Sequence, residues 1–118
     1  MNFSSFKVPY PVDEQYSKRI AYFSMEFAVS QPLKIYSGGL GFLSGSHMRS
    51  AYELRQNLVG IGILWKYGYY DQARNQDQTL QVQWNEKIYN FLEDPGIKFQ
   101  IDIHEHPVWV KVWYLNPE

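Results

Sequence analysis

Two nearly continuous apolar runs, separated by a segment with the period of a helix, organise the first half of the chain. The runs are Ile20–Met25 and Leu58–Trp65, and short apolar runs of this kind are typical of strands buried on both faces of a parallel sheet. The segment between them predicts a helix over residues 42–55. Its predicted apolar stripe consists of Leu43, His47, Ala51 and Leu54. The order strand, helix, strand therefore predicts an α/β fold with a parallel pair of strands.

The ends of this helix and the second apolar run carry further predictions. Ser37 suits the N-cap position, and Asn57 suits the left-handed conformation in which many helices end. Gly60 and Gly62 alternate in the second run, so one face of that strand carries no side chains. We expect the helix, or the glycine-rich turn before it, to pack closely against that face.

The second half of the chain predicts antiparallel structure. Asp71–Thr79 is polar and turn-like, and Leu80–Trp84 alternates as a strand with one solvated face. Ile97–Ile103 and Val108–Tyr114 are two more β-rich runs, and residues 104–107 predict a hairpin loop between them. The predicted fold is thus an α/β domain with an antiparallel β-hairpin tail.

The domain organisation follows from these elements. Residues 1–19 are mixed in character and are expected to form an arm, with Asp13 capping a short helical turn. Residues 20–118 are expected to form an incomplete domain, because a sheet with two parallel strands is too small to be covered on both faces. A larger protein, or another chain, would complete it.

Composition narrows the functional classes. The 118 residues are 45% hydrophobic and 19% charged, as in ordered globular proteins, and the net charge of -1 favours neither nucleic acid nor a membrane surface as a partner. The chain has no cysteine, no secretion signal, and no apolar run near the roughly 20 residues that span a bilayer. The expectation is a soluble, cytoplasmic protein.

Glycine is concentrated between Tyr36 and Gly45, just before the predicted helix. Gly38, Gly39 and Gly41 would leave backbone N–H groups exposed at a helix N-terminus, where proteins often hold phosphate or another anion. The spacing matches neither standard nucleotide-binding fingerprint. From the residues alone, an anion site and a helix-capping turn are equal alternatives.

Four side chains around this turn are candidates for a cleft. Glu26 follows the first predicted strand, at the end where open α/β sheets bind ligands; the alternative is a solvated or capping glutamate. His47 lies within the apolar stripe, where a hydrogen-bonded core histidine is the commoner interpretation. Tyr67 and Tyr69 belong to an aromatic cluster after the second run, which predicts either a cleft wall or a packed turn.

Two closely spaced histidines raise the question of a metal site. His104 and His106 flank Glu105 in the predicted hairpin loop. A zinc site needs three or four ligands, and no further ligand is evident nearby in the sequence, so no metal is expected.

Three segments resemble the amino-terminal part of the α-glucan phosphorylases, which are the glycogen and starch phosphorylases. They are Ile20–Phe27 (IAYFSMEF), Ile35–Leu43 (IYSGGLGFL) and Leu58–Tyr70 (LVGIGILWKYGYY), and they are most similar to the short bacterial and archaeal branch of the family. The resemblance covers residues 18–92 well. It implies two Rossmann-like domains facing a deep cleft, and the reversible phosphorolysis of α-1,4-glucan to glucose 1-phosphate with retention.

The resemblance also implies roles for single residues. Backbone N–H groups of the glycine turn would hold the substrate phosphate, Leu40 would border the bound glucose, and Glu26 would lie near the cofactor and substrate cleft. The positions implied to contact phosphate or substrate are Gly38, Gly39, Leu40, Gly41 and Glu26.

The resemblance implies a cofactor that this chain cannot hold by itself. Pyridoxal phosphate is linked in the family to a lysine of the carboxy-terminal domain, and that lysine is absent from these 118 residues. The chain alone is therefore expected to bind no cofactor and to be inactive. Ala28 replaces an aromatic residue that helps to hold the cofactor in animal-type enzymes, and Ser46 replaces an aspartate that is usual in the short branch. The expected partners are α-glucan, phosphate, and the remainder of the enzyme or another copy of the chain.

Two other functions stay open. In a non-catalytic carbohydrate-binding module, the aromatic cluster of the chain would stack on a glucan. Glycogen and starch synthases, which use sugar nucleotides, share a Gly-Gly-Leu-Gly turn. They usually carry a lysine two or three residues before it, where this chain has Ile35-Tyr36-Ser37.

Overall fold

A computed structural model describes residues 6–116 of the chain. The parts of the predicted arm and of the predicted domain that fall on residues 1–5 and 117–118 lie outside the described residues. The chain forms two compact units, residues 10–89 and a second unit whose described part comprises residues 6–9 and 90–116. The predicted boundary between an arm and a domain at residue 19 stays a prediction.

The regular elements are one short 3-10 helix, one α-helix and six strands within the described residues. In chain order they are the 3-10 helix Glu14–Tyr16, β1 Ile20–Phe23, α1 Gly39–Glu53, β2 Leu58–Ile61, β3 Asp71–Arg74, β4 Leu80–Gln83, β5 Lys98–Ile103 and β6 His106–Lys111. Between residues 6 and 116, no helix is both long and apolar enough to cross a membrane.

The first unit is built on a β–α–β crossover. Strands β1 and β2 are parallel, with Ile20 opposite Leu58 and Phe23 opposite Ile61, and α1 connects them. The predicted parallel pair and its helical connection are therefore confirmed. Both strands are shorter than the apolar runs that predicted them. After β1 the Ser24 hydroxyl donates to the backbone carbonyl of Glu26 at 2.8 Å, which turns the chain out of the ladder.

The prediction that both strands are buried on two faces is wrong. Ile20 is 51% exposed, Phe23 71% and Ile61 41%. Burial on both faces requires helices on both sides of the sheet, and residues 10–89 contribute one α-helix, α1, besides the 3-10 turn at Glu14–Tyr16. The apolar composition of β1 and β2 therefore does not show that both faces of the sheet are covered. A Rossmann-like domain around these strands stays a prediction.

Helix α1 begins earlier than its sequence pattern predicts. Its N-cap is Gly38, in extended conformation and without a side-chain cap, so the prediction of Ser37 as N-cap is wrong. Gly39 and Gly41 lie within the first helical turn, not in a turn before it. At the other end, Arg55 has the left-handed φ of 51° that was predicted for Asn57.

The face that α1 buries is made of small residues. The buried positions are Gly41, Ser44, Gly45 and Ala51. In contrast, Leu43 is 66% exposed, Leu54 is 63% exposed and His47 is exposed, so Ala51 is the one member of the predicted stripe that faces inward. The periodicity was assigned to apolar residues, whereas the helix packs through residues small enough for its backbone to approach its neighbours.

The predicted close packing of the helix against this glycine-bearing face is confirmed at Gly60, which meets Met48 of α1, whereas Gly62 meets the segment that follows β1. A Cβ atom on Gly60 would lie 3.2 Å from the Met48 sulfur, and one on Gly62 would lie 2.9 Å from Cδ2 of Phe27. Gly45 is more constrained, because its Cβ would collide with the backbone carbonyl of Ala28.

Two further contacts hold the start of this unit. Asp13 caps the short 3-10 helix by accepting from the N–H of Gln15 at 3.0 Å, as predicted. The Asn57 side chain donates to the carbonyl of Ser17 at 2.8 Å, which ties the entrance of β1 to that of β2.

Strands β3 and β4 form an antiparallel hairpin, of which the sequence pattern predicts β4 but not β3. Asp71 is opposite Gln83 and Arg74 is opposite Leu80. The prediction of a turn over all of Asp71–Thr79 is therefore wrong, because its first four residues form β3. Their polar side chains disfavour a strand, but backbone pairing with β4 overrides that preference. All four residues of β4 are exposed, so the prediction of a single solvated face is also wrong.

In the second unit, β5 and β6 form the predicted antiparallel hairpin. Ile103 is opposite His106, and the turn consists of His104 and Glu105, which have positive φ values of 49° and 65°. Two left-handed residues are typical of the tight hairpin turn whose twist matches that of the strands. The loop is shorter than predicted, because His106 and Pro107 lie within β6.

We expect Gly45→Ala to destabilise the protein, since the added methyl would overlap the Ala28 carbonyl, which is backbone and cannot rotate away. Overpacking of this kind costs about 1 to 3 kcal/mol. Gly39→Ala is the matched control in the same helix, because nothing lies within 4 Å of its Cβ position; its stability should be equal to or slightly above that of the parent. Urea denaturation measures both. Equal stabilities of the two variants would contradict the close approach.

Candidate functional site

The candidate site begins with Glu26, which follows β1 at the carboxyl end of the parallel strand pair. Its backbone is fixed from two sides, because its carbonyl accepts from the hydroxyls of Ser24 and Ser44. Ser44 is the fully buried polar residue on the inner face of α1, and its oxygen also lies 3.0 Å from the Leu40 carbonyl. One serine thus attaches the first turns of the helix to the residue that carries the candidate carboxylate.

The Glu26 carboxylate lies over the start of α1. Its Oε2 accepts from the backbone N–H of Ser37 at 3.2 Å, and its Oε1 accepts from the hydroxyl of Tyr69. These two hydrogen bonds, the one from Tyr69 first, hold the pKa of the Glu26 carboxyl below its ordinary value, with smaller contributions from the N–H groups of Gly38 and Gly41. The carboxylate therefore serves as an anion that the protein itself places at the positive end of the helix.

The glycines of this helix start have different roles. Gly41 is required by space, because a Cβ there would lie 2.6 Å from the Tyr36 Cβ and 3.1 Å from Oε2 of Glu26. Gly38 and Gly39 have nothing within 4 Å of their Cβ positions and are exposed. None of the three has a positive φ. The sequence suggested that these glycines are needed for backbone conformations that other residues resist. In the structure, Gly41 instead allows the close approach of Tyr36 and Glu26, and Gly38 and Gly39 leave the surface of the helix start open.

Tyr69 reaches Glu26 from the segment that follows β2. The chain turns there at Gly68, whose φ is 57° and whose Cβ position is 2.6 Å from the carbonyl of Lys34. The Tyr89 hydroxyl donates to the carbonyl of Trp65 at 3.1 Å and lies 3.3 Å from that of Lys34. Trp65 in turn donates from its indole N–H to the Met25 carbonyl at 3.2 Å. These contacts fix the turn that carries Tyr69 beside the end of β1.

The two other side chains that the sequence singles out, His47 and Tyr67, make different contacts. His47 is exposed and packs its ring against that of Tyr22 at 4.9 Å between centroids, so the interpretation as a core histidine is wrong. Tyr67 is 48% exposed and has the Lys66 ammonium 5.7 Å from its ring centre. The structure therefore brings Glu26, Tyr69 and the helix start together, whereas His47 and Tyr67 interact with Tyr22 and Lys66 respectively.

An apolar groove of about 470 Å³ opens beyond the carboxyl ends of β1 and β2. Its lining consists of Tyr22, Phe23, Ser24, Met25, Leu40, Ile61, Gly62 and Ile63. Leu40, in the first turn of α1, is 50% exposed and belongs to this lining. The groove occupies the edge of the sheet at which open α/β proteins bind ligands.

Two further predictions concern a metal ion and a cofactor. Across residues 6–116 there is no group of three or more His, Cys, Asp or Glu residues that could hold a metal ion. Ala28, at the position implied to contact pyridoxal phosphate, is only 6% exposed and its carbonyl faces Gly45. Ala28 therefore offers little surface to a cofactor.

Two of the residues that matter here had only weak sequence signals. Ser44 is a polar residue within a helix, and its spacing from Gly41, Gly45 and Ala51 marks the small-residue face that the apolar pattern concealed. The contact between Glu26 and Tyr69 joins positions 43 residues apart in the chain. No local pattern predicts such a pair.

Together these features define a small α/β protein with a candidate ligand-binding edge, in which a helix N-terminus and an acidic side chain meet at the ends of two parallel strands. Comparison with known proteins gives three informative relatives. An uncharacterized protein of Methanocaldococcus jannaschii is 52% identical over 101 residues, which cover 86% of this chain and 20% of that protein. The glycogen phosphorylase of Mycobacterium tuberculosis is 38% identical over 95 residues, covering 79% of this chain and 10% of the enzyme. The maltodextrin phosphorylase of Thermococcus litoralis is 40% identical over 72 residues, covering 61% of this chain and 8% of the enzyme.

Over most of its length the chain is therefore homologous to the α-glucan phosphorylases, and the resemblance carried by its motifs is confirmed. The chain spans one fifth or less of the length of the three relatives described above. No protein-family model matches it, and no solved structure matches it.

Ser44→Ala should destabilise the protein by about 0.5 to 1.5 kcal/mol, because it removes one hydrogen bond to the Glu26 carbonyl, which keeps its donor from Ser24. Ser46→Ala is the matched control, since Ser46 is exposed on the same helix and should change the free energy of unfolding by about 0.5 kcal/mol or less. Chemical denaturation of both variants makes the comparison. A Ser44→Ala protein as stable as the control would show that the serine does not hold the helix start to Glu26.

The lowered pKa of Glu26 predicts a specific loss of stability in acid. Folding favours the ionised carboxyl, so this contribution is complete above the ordinary glutamate pKa of about 4.3 and disappears as the pH falls through the lower pKa of the folded state. Tyr69→Phe removes the largest cause of that shift. The parent should therefore be more stable than this variant at neutral pH, and the difference should shrink as the pH falls below about 4.

Unfolding free energies measured by urea denaturation from pH 7 to pH 3, together with an NMR titration of Glu26, test this dependence. Tyr67→Phe serves as the control, because the hydroxyl that bonds the Glu26 carboxylate and lowers its pKa belongs to Tyr69 and not to Tyr67. A stability difference between parent and Tyr69→Phe that is the same at every pH would rule out the linkage to Glu26.

Proposed function

We propose that this chain is the amino-terminal segment of an α-glucan phosphorylase and forms one wall of its substrate site. The observation that carries the proposal is the exposed start of α1 at the carboxyl ends of β1 and β2, in a chain homologous to proteins named glycogen and maltodextrin phosphorylase. In the complete enzyme, β1 and β2 would be part of a larger Rossmann-like domain. The protein would act in the cytoplasm on glycogen-type glucans.

The helix start is the proposed place of the substrate phosphate. Gly38 and Gly39 are exposed and carry no side chain, and their backbone N–H groups, at the positive end of α1, would suit a phosphate dianion. Their task would be to orient the phosphate toward the anomeric carbon of the glucan, and to stabilise the charge that it carries during transfer. Basic side chains from another part of the enzyme would complete the phosphate site.

The neighbouring side chains divide the remaining tasks. Leu40 lines the apolar groove and is half exposed, so it can pack against the face of the glucose ring. Glu26 when ionised only accepts hydrogen bonds, and therefore cannot bind the phosphate dianion directly. Pyridoxal phosphate, held by a lysine elsewhere in the enzyme, would supply an acid–base phosphate group.

A carbohydrate-binding module without chemistry is the second candidate. The observation that favours it is the exposure of several aromatic side chains after β2: Tyr67 is 48% exposed, Tyr69 42% and Tyr70 43%. Exposed aromatic rings with a polar end are common at binding surfaces. Tyr69, however, is already engaged with Glu26, which leaves a smaller platform than the sequence suggested.

The test is release of glucose 1-phosphate from glycogen and maltodextrin in the presence of phosphate. The full-length product of the gene should be active, and the 118-residue chain alone should be inactive, because it lacks the lysine for the cofactor. Turnover by the 118-residue chain alone would sink the argument that its site is incomplete. Saturable quenching of tryptophan fluorescence by glucan, without any turnover by the full-length protein, would support the binding module instead.

A further inference from the structure

The hydrogen bond between Tyr69 and Glu26 joins the two segments that leave the parallel strands. Glu26 comes three residues after β1 and Tyr69 comes eight residues after β2, and the tyrosine hydroxyl donates to Oε1 of the carboxylate. The other carboxylate oxygen accepts from the Ser37 N–H at 3.2 Å. Because each oxygen has its own donor, the carboxyl group is fixed in rotation as well as in position.

This fixed carboxylate competes with any external anion for the helix start. It draws on the N–H of Ser37 and lies close enough to those of Gly38 and Gly41 for both to lower its pKa. One of these three N–H groups, that of Gly38, is a donor proposed above for the substrate phosphate, and the N–H of Gly41 lies in the same first turn of α1. Two anions a few ångströms apart repel each other, so the helix start cannot serve both at full strength.

We propose that Tyr69 is a positioning residue: it holds the Glu26 carboxylate over the start of α1, and this internal anion limits the affinity of the helix start for phosphate. The inference rests on the proposed function, because it takes phosphate as the ligand of that site. Tyr69 itself contacts Glu26 and acts through it. The turn at Gly68 and the bonds of Tyr89 and Trp65 keep the hydroxyl in place.

The consequence is a site whose affinity for phosphate is low while the hydrogen bond between Tyr69 and Glu26 is intact. While Tyr69 and Ser37 hold the Glu26 carboxylate in place, its negative charge offsets the positive end of the α1 dipole. When the Tyr69 bond is released, the carboxylate can swing away from the helix on its flexible side chain, and the N–H groups become available. Any partner or substrate that displaces Tyr69 would therefore raise phosphate affinity without contacting the phosphate.

A double-mutant cycle on phosphate binding tests the proposal. Inorganic phosphate is titrated by calorimetry into the full-length gene product carrying Tyr69→Phe, Glu26→Gln or both. Glu26→Gln should bind phosphate about 5-fold more tightly or better, since it removes a like charge at short range. Tyr69→Phe should bind about 2- to 5-fold more tightly, as expected for loosening a charge at a helix end. In the Glu26→Gln background, Tyr69→Phe should change nothing, because the two residues act as a unit.

Controls separate this effect from general damage. Tyr67→Phe removes a hydroxyl two residues away that does not contact Glu26, and should leave phosphate affinity unchanged. Thermal unfolding by circular dichroism establishes that each variant is folded. If Glu26→Gln does not fold, Glu26→Asp replaces it, because it keeps the charge but withdraws it by one methylene and should also bind phosphate more tightly than the parent.

The outcomes distinguish the two proposals. If phosphate binds all variants with the parent affinity, or more weakly, the role of Tyr69 and Glu26 is overturned while the phosphate site stands. If Tyr69→Phe changes affinity equally with and without Glu26, Tyr69 acts on the phosphate directly and not through the carboxylate. If neither the parent nor any variant binds phosphate, the proposed phosphate site itself fails, and the positioning role fails with it.

Discussion

The close approach of helix α1 to the segment that follows β1 is the constraint on which the first unit depends. Gly41 and Gly45 have no room for a side chain, and the buried Ser44 hydroxyl donates to the backbone carbonyl of Glu26. The Ala28 N–H in turn donates to the Gly41 carbonyl at 2.9 Å. Backbone therefore lies against backbone, with one serine as a bridge, and larger side chains have no place in that contact.

This contact also determines what the site can be. It sets the first turn of the helix beside residue 26, so the side chain of that residue reaches the exposed N–H groups without any long loop. The same residues that pack the fold thus aim the candidate carboxylate. For this reason Gly41 serves the core and the site at once: it touches Tyr36 on one side and Oε2 of Glu26 on the other.

The order of elements could be predicted from the sequence, because it depends on local patterns. The two apolar runs, the helix between them and the hairpin over residues 98–111 were all predicted in kind. The buried face of α1 could not be predicted, because the hydrophobic pattern marks Leu43 and Leu54 as core residues although both are largely exposed. Strand β3 was missed since its polar residues pair through the backbone, which side-chain patterns do not record.

For the candidate site, the positions of the residues could be predicted from the sequence, but the contacts between their side chains could not. Glu26 and the glycine turn were found from their places at a strand end and a helix start. The orientation of the carboxylate was not, because it depends on Tyr69, and a contact across 43 residues leaves no local trace in the sequence. The role of Ser44 was missed for the same reason, since its partner lies 18 residues away.

The exposed parallel sheet has a consequence for the chain during its synthesis. Strands β1 and β2 form a two-stranded sheet with exposed apolar side chains, and the open edges of such a sheet are templates for pairing with any other extended chain. Lys18 and Arg19 stand directly before β1 and are exposed. Charges that flank an apolar strand act as gatekeepers, because each added strand would bring like charges together. Lys18 and Arg19 would therefore disfavour the addition of another copy of β1 to this open sheet.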